Sequence, residues 1–195
     1  NEVKTFSDHD EKSEPLKDLT PYLDTFDSII THNGIAYDLP VMLKLLNWKP
    51  KDNVKLVDTM IISQLNNFRR EGKHSLANFG KILKDAKGES PAFDHYSEAM
   101  KIYGIQDINL THKVYKYVVN EAQTLIANRP NFKNALQTEH AIAEICARQV
   151  ITKWNFDTPK AKKFYEQLTA EMEAIENEIN PTLKPRKVLI DKEKS

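Results

Sequence analysis

An α/β domain with helices added at its end is the fold class that the sequence predicts. Two short apolar runs, residues 28–32 and 56–57, have the composition of buried strands. Each is followed by a segment whose apolar residues recur at helical spacing. Beyond Phe93 the pattern is mostly helical, and this order is typical of an α/β unit with a helical extension. Because a two-stranded sheet is marginal alone, we expect further strands outside this chain.

The first half of the chain is interpreted element by element from local signals. Residues 1–15 are polar and acidic and predict a loose arm, and residues 16–26 predict a short helix. The first strand stops at Asn33-Gly34, a turn signal, and Asp38 is predicted to be the N-cap of the next helix. A helix after the second strand, a basic loop over residues 66–73 and a helix over residues 74–83 capped by Ser75 complete this half.

Helices dominate the second half. The pattern predicts helices over residues 93–127, with Gly104 as a candidate interruption, and over residues 134–153. A last helix is predicted after Asp157, where Thr158-Pro159 is an entry signal. Its apolar residues form one stripe, which predicts docking on another helix or on a further domain: Ala161, Tyr165, Leu168, Met172, Ile175 and Ile179.

Composition limits the classes of protein. The formal net charge is +0, which argues against a polycation, yet residues 44–87 carry ten basic and four acidic side chains. Arg69, Arg70 and Lys73 in this stretch are candidate contacts to a DNA backbone. The single cysteine, Cys146, excludes an internal disulfide, and we expect it to be packed inside a helix. No apolar run approaches the ~18 residues that a membrane span needs.

Two segments contain candidate catalytic residues. The first is His32–Asp38, where a carboxylate at a strand-to-helix junction can face a site at the sheet edge. The second runs from Tyr103 to Asp107, whose spacing of four puts phenol and carboxylate on one helix face. Carboxylates hold hard divalent ions, and a phenol can orient a metal-bound water. Taken alone, Asp38 is an ordinary cap and Asp107 an ordinary surface charge.

Together, in this order, the segments resemble the 3′–5′ proofreading exonuclease region of family A (Pol I-type) DNA polymerases, in the replicative branch of short-tailed phages. His32-Asn33-Gly34 through Asp38-Leu39-Pro40 resembles the second exonuclease motif of that branch, and Tyr103–Asp107 resembles the third motif in its tyrosine form. Val57-Asp58-Thr59 and His74-Ser75-Leu76 resemble the units between them. The resemblance covers roughly residues 16–180. It implies an RNase H-like fold truncated at its first strands.

The resemblance also implies a site with two Mg²⁺ or Mn²⁺ ions about 4 Å apart, which hydrolyse the terminal phosphodiester of a single-stranded DNA 3′ end. Asp107 would ligate one metal directly, and Asp38 would hold the second through water. Tyr103 would align the attacking water, and Asn33 would support the site or touch the terminal nucleotide. The family's first motif, Asp-x-Glu on the opening strand, does not occur in residues 1–28 and is expected before Asn1.

The implied organisation is a partial exonuclease domain over residues 1–132 and the helical start of a polymerase domain over residues 133–195. Expected partners are primer–template DNA, the rest of the polymerase chain and a processivity factor, in the cytoplasm of a bacterial host. Because the motif expected before Asn1 supplies two carboxylates, we expect the isolated chain to be nearly inactive. Two alternatives stay open: a non-catalytic nucleic-acid-binding or scaffold protein on a degenerate nuclease fold, and a free-standing exonuclease of the same superfamily.

Overall fold

The computed structural model describes residues 2–85 and 90–183, which form parts of two compact units, Asn1–Thr152 and Lys153–Ser195. The first unit contains a short 3₁₀ turn, Leu16–Asp18, and then eight elements in chain order: α1 (Leu19–Leu23), β1 (Ser28–Thr31), α2 (Asp38–Leu46), β2 (Lys55–Asp58), α3 (Thr59–Asn66), α4 (Leu76–Ile82), α5 (Glu98–Asn128) and α6 (Phe132–Thr152). The predicted mixed α/β class is confirmed: the described chain is mostly helical with one small parallel sheet.

The sheet consists of β1 and β2, joined in parallel by α2. Its register pairs Ser28 with Lys55 and Thr31 with Asp58, so both strands end at the same edge. Parallel strands need a crossover connection, and α2 supplies it. The residues that follow Thr31 and Asp58 are therefore brought together, which positions the candidate site.

The amino-terminal arm is held in place, so the predicted loose arm was wrong. The Ser7 amide donates to the Glu14 carbonyl at 2.8 Å, and the Glu14 amide donates to the Thr5 carbonyl at 2.8 Å. Asp10 forms an ion pair with Lys101 on α5, and their side chains are only 10% and 13% exposed. The Lys101 ammonium and the Ser13 hydroxyl hold the pKa of the Asp10 carboxyl well below its usual range. Polar composition misled the prediction because these polar groups bond one another.

Helix α5 runs unbroken for 31 residues, so Gly104 does not interrupt it. Its inner face supplies Leu110, Val114, Val118 and Ala122 to a core that Ile62 of α3 and Phe79 of α4 complete. Phe79 is 0% exposed. A glycine in a helix costs about 1 kcal/mol relative to alanine, which packing along a long buried face readily outweighs.

Helix α6 packs on α3, α5 and β2 and belongs to the same compact unit as the sheet. The functional boundary predicted at residue 132 stays a prediction. The expected burial of Cys146 was wrong, because this thiol is exposed. Leu136 and His140 face the rest of the unit, whereas Cys146 lies on another side of α6. Apolar neighbours in sequence do not imply burial, since consecutive helical residues point in different directions.

The second unit contains α7 (Thr158–Ile179) and a 3₁₀ turn, Asn180–Thr182. The predicted entry signal is confirmed: Asp157 is the N-cap, and its carboxylate accepts the Lys160 amide at 3.0 Å. Most of the predicted apolar stripe is exposed within the described residues, including Tyr165, Leu168 and Met172. The segment after Pro181, whose sequence is basic and has no periodicity, lies almost entirely in residues 184–195, outside the described residues. Among the helices described, none is both long and apolar enough to cross a membrane.

Candidate functional site

The carboxylate of Asp58, the last residue of β2, organises the edge of the sheet. It is 1% exposed and accepts three backbone amides. Its Oδ1 accepts the Asn33 amide at 2.8 Å and the Met60 amide at 2.9 Å, and its Oδ2 accepts the Ile35 amide at 3.3 Å. One buried side chain thus caps α3 and also holds the turn that follows β1. The chain continues from that turn to Asp38.

The turn itself is unusually close to the strand before it. Asn33 has a φ of 65°, a left-handed conformation that asparagine tolerates better than most residues. At Gly34 an added Cβ would lie 2.4 Å from Cβ of Thr31. The Asn-Gly pair noted in the sequence is therefore a requirement of the backbone at this point, and it fixes the path of the chain toward α2.

A second connection ties the two strand ends through Thr59. Its hydroxyl donates to the Thr31 carbonyl at 3.0 Å and lies 2.8 Å from Nδ1 of His32. A hydroxyl has one proton to give, so Nδ1 of His32 must donate to Thr59. The imidazole is thereby held in one orientation beside the Asn33–Ile35 turn.

Asp38 and Asp107 are lining residues of the same cavity, although they are far apart in the chain. Asp38 lies at the start of α2 and Asp107 in the middle of α5. The cavity has a volume of about 450 Å³. Residues from β1, the position directly after it, α4 and α5 complete its walls: Ile30, Thr31, His32, Leu76, Ile108, Thr111 and His112. Its walls combine carboxylate, imidazole and aliphatic groups, which suits a polar ligand with an apolar part.

The described surroundings of Asp38 disfavour its ionised form. Its side chain remains accessible to solvent, yet the surrounding protein displaces enough water from the carboxyl to raise its pKa. The negative charge of Asp58 raises the pKa of Asp38 further, whereas its own backbone amide has the opposite effect. The predicted N-cap role was wrong: Tyr37 is the N-cap residue, and Asp38 is the first residue of α2. A cation in the cavity would favour the ionised carboxylate.

Tyr103 lies one turn before Asp107 on α5, as the spacing predicted, but it is not among the described residues that line the cavity. Its ring makes an edge contact with Phe93, with 5.9 Å between the ring centroids. Asn33 is exposed at the turn, close in sequence to the lining residue His32.

The three basic candidates follow α3, and they divide into two kinds. Arg69 and Lys73 are exposed and outside the cavity wall. Arg70 is 8% exposed, and its guanidinium pairs with Glu121 while its Nε donates to Ser63 at 3.1 Å. It also lies over the Phe79 ring, 5.3 Å from the centroid. These contacts occupy Arg70 inside the protein, so we assign it to the core.

The sequence motifs included His32 only as the first residue of a candidate segment and Asp58 only within an intervening unit, and they gave no site role to His112 or His140. Asp58 had a usable signal, because an aspartate between a strand and a helix is a typical N-cap. His112 has no histidine or cysteine near it in sequence at the spacing of a metal site, yet it lines the cavity. His140 had no local signal, since its partner, the Asp58 amide, is distant in the chain.

The donor set fits part of a hard-metal site. Two carboxylates at one cavity are ligands that Mg²⁺ and Mn²⁺ prefer. Among the residues described, no group of three or more His, Cys, Asp and Glu side chains is arranged to hold a metal ion. Two carboxylates alone would leave most coordination positions of such an ion to other ligands.

Comparison with known proteins gives two likenesses. No protein-family model matches the chain. The DNA-directed DNA polymerase of Escherichia phage T7 is 22% identical over 225 aligned residues, which cover 85% of this chain and 32% of that protein. The DNA-directed DNA polymerase of Enterobacteria phage T3 is 23% identical over 213 residues, covering 78% and 30%. These matches support a relationship with phage DNA polymerases. The chain spans about a third of the length of these curated relatives.

Proposed function

We propose that this chain is part of a phage-type DNA-directed DNA polymerase and supplies two carboxylates to its 3′–5′ exonuclease site. The observation that carries the proposal is that Asp38 and Asp107 line one cavity. Their segments resemble two exonuclease motifs, and the sequence likeness to the two phage polymerases supports a parent protein of that kind. The parallel β1–α2–β2 unit is compatible with part of an RNase H-like sheet.

Asp38 and Asp107 would hold Mg²⁺ or Mn²⁺ together with carboxylates outside this chain. When bound, such ions supply an activated water and charge stabilisation at the leaving oxygen. The residues of this chain have the remaining tasks of binding and orientation. Tyr103 would orient the attacking water, and Asn33 would contact the terminal nucleotide. Arg69 and Lys73 would contact the backbone of the single strand that leads to the cavity. DNA and the rest of the polymerase chain are the partners, in the host cytoplasm.

Metal binding is the first test. Addition of Mn²⁺ to ¹⁵N-labelled protein should broaden the backbone signals of Asp38, Asp107 and their neighbours by paramagnetic relaxation. Asp38→Asn and Asp107→Asn should each remove the effect, because each amide replaces a ligand that carries a full charge. Asp27→Asn is the matched control, since Asp27 is an exposed aspartate outside the cavity. Broadening that persists in both site variants would contradict the proposal.

Activity is the second test, measured as release of nucleotides from a 3′-labelled single strand with Mg²⁺. We expect this chain alone to be nearly inactive. Losing one partner that orients a metal ligand costs roughly 10–100-fold, and the loss of two direct ligands should cost more. A covalently joined upstream strand with Asp-x-Glu should restore cleavage that depends on Asp107. Strong Mg²⁺-dependent cleavage by this chain alone would refute the assignment of the missing ligands.

A second candidate, a non-catalytic DNA-binding protein, is favoured by one observation. The described residues contain no cluster of three metal-capable side chains. This candidate predicts single-stranded DNA binding that is indifferent to Mn²⁺ and to Asp107→Asn. It also predicts no cleavage by the variant with the upstream strand.

A further inference from the structure

We propose that His140 of α6 is a positioning residue for the Asp38 side of the cavity, acting through Asp58. The inference deepens the proposed function and rests on it in its last step, where the held turn leads to a metal-binding carboxylate. The connection has two hydrogen-bonded steps joined through one residue: His140 of α6 accepts the Asp58 amide of β2, and the Asp58 carboxylate accepts amides of the turn before Asp38.

The hydrogen bonds of His140 define its protonation state. Its Nε2 lies 2.9 Å from the backbone nitrogen of Asp58, which can only donate, so Nε2 must be the bare acceptor. Its Nδ1 lies 2.7 Å from the Leu136 carbonyl, which can only accept, so Nδ1 must carry the proton. A neutral imidazole with the proton on Nδ1 satisfies both contacts. The His140 imidazole is thus the hydrogen-bond acceptor for the Asp58 amide at the end of β2.

The Asp58 side chain carries the connection onward. Its two oxygens accept the Asn33, Ile35 and Met60 amides, so a shift of Asp58 moves the turn and the start of α3 together. The turn has little freedom to compensate, because Gly34 already lies against Thr31. Asp38 begins α2 directly after it. The position of α6 is therefore transmitted to one wall of the cavity.

The position of His140 connects a helix outside the cavity to the cavity wall. Helix α6 packs against β2 and α3, while neither α6 nor His140 is among the residues that line the cavity with Asp38 and Asp107. The resemblance assigns α6 to the start of the polymerase region. A displacement of α6 relative to β2 would lengthen the His140–Asp58 contact and loosen the turn. The geometry thus points to a mechanical link from that helix to the nuclease carboxylates.

The test compares two substitutions of His140 that differ in one property. His140→Gln keeps a side-chain acceptor near the position of Nε2, whereas His140→Leu removes it with a similar volume. Gln137→Ala on the exposed side of α6 is the control. Three quantities are measured in each: the ¹⁵N shifts of the imidazole, hydrogen exchange at the Asn33 and Ile35 amides, and Mn²⁺ affinity from paramagnetic broadening at Asp38.

We expect the wild-type imidazole to have a bare Nε2 and a protonated Nδ1. His140→Leu should speed exchange at Asn33 and Ile35 and weaken Mn²⁺ binding roughly 10–100-fold, the usual cost of losing a group that orients a ligand. His140→Gln and Gln137→Ala should stay close to the wild type, and rescue by Gln separates positioning from general loss of packing.

Three results would overturn the inference: a protonated Nε2 in the wild type, unchanged exchange at Asn33 and Ile35 in a folded His140→Leu protein, or equal effects of Leu and Gln. If the wild type binds no Mn²⁺ at Asp38, the proposed function fails instead. The link from His140 to the turn is then decided by the exchange rates alone, so the two failures are distinguishable.

Discussion

Gly34→Ala should be the most damaging single-methyl change in the sheet-edge turn. The new Cβ would lie 2.4 Å from Cβ of Thr31 and 2.6 Å from both its Cγ2 and its Oγ1. Since Cβ atoms in real structures essentially never approach another heavy atom below 3.0 Å, the backbone must move by at least the difference, 3.0 − 2.4 = 0.6 Å. Thr31 cannot yield easily, because its carbonyl accepts the Thr59 hydroxyl and its strand pairs with β2.

The expected cost is about 1–3 kcal/mol, the range for an extra methyl group forced into a packed site. Any loosening of the bonds to Asp58 would add to it. For a protein of this size the melting temperature should fall by roughly 2–4 °C per kcal/mol. Thr31→Ala should not rescue the variant, because the closest atom is Cβ of Thr31, which alanine keeps.

The assay is urea unfolding followed by the fluorescence of Trp48, which is 8% exposed in the first unit. A Trp154→Phe background removes the other tryptophan, which lies in the second unit and is 80% exposed. Gly104→Ala is the matched control: its new Cβ meets no described heavy atom within 4 Å, and alanine should stabilise α5 by about 0.5–1 kcal/mol. If both changes shift the unfolding midpoint in the same direction, the close approach of Gly34 to Thr31 does not determine the stability of the turn.

Two further predictions concern the charged groups of the first unit. Arg70→Met should lower the free energy of unfolding by about 3 kcal/mol, because it leaves Glu121 without its forked partner, and urea midpoints at neutral pH measure it. A loss under ~0.5 kcal/mol would count against the core assignment of Arg70. The free energy of unfolding of Asp38→Asn, relative to that of the wild type, should increase as pH rises. A carboxyl whose pKa is raised on folding favours the protonated form, so its contribution is present below the unfolded pKa of 3.8 and lost as pH rises through the folded value. Urea midpoints of both proteins from pH 3.5 to 8 test this, and parallel pH profiles would contradict it.

Local elements were predictable from the sequence because their signals are local. The strand predicted at residues 28–32, the Ser75 cap of α4 and the start of α7 after Asp157 follow from apolar runs and helix-entry signals, and all three are confirmed, with the strand ending at Thr31. The pairing of Asp38 with Asp107 at one cavity was predicted only through the order of motifs and the resemblance. Nothing in the spacing alone brings α2 and α5 together.

The remaining features could not be predicted from the sequence, because they depend on contacts between segments that are distant in the chain. The Asp10–Lys101 ion pair orders an arm whose composition is that of a loop. Arg70 is buried because it pairs with Glu121 on α5. The sequence does not show this partner, so Arg70 was predicted to contact DNA. His140 reaches Asp58 across a long stretch of chain. In each case a polar side chain has a tertiary partner, and neither periodicity nor composition encodes that partner.

The contrast between Arg70 and Asp38 bears on which charges of this chain are functional. Arg70 is buried, but its charge is neutralised by the ion pair with Glu121. Removing the Arg70 side chain should therefore destabilise the fold. Asp38 is partly desolvated and lies near the negative charge of Asp58, and both effects raise the pKa of its carboxyl, while its own backbone amide opposes them only in part. The N-terminus of α2 itself favours a negative charge at this position, so part of the cost is offset locally. Under the proposed function, a divalent cation shared with Asp107 would offset the remaining cost of ionising Asp38.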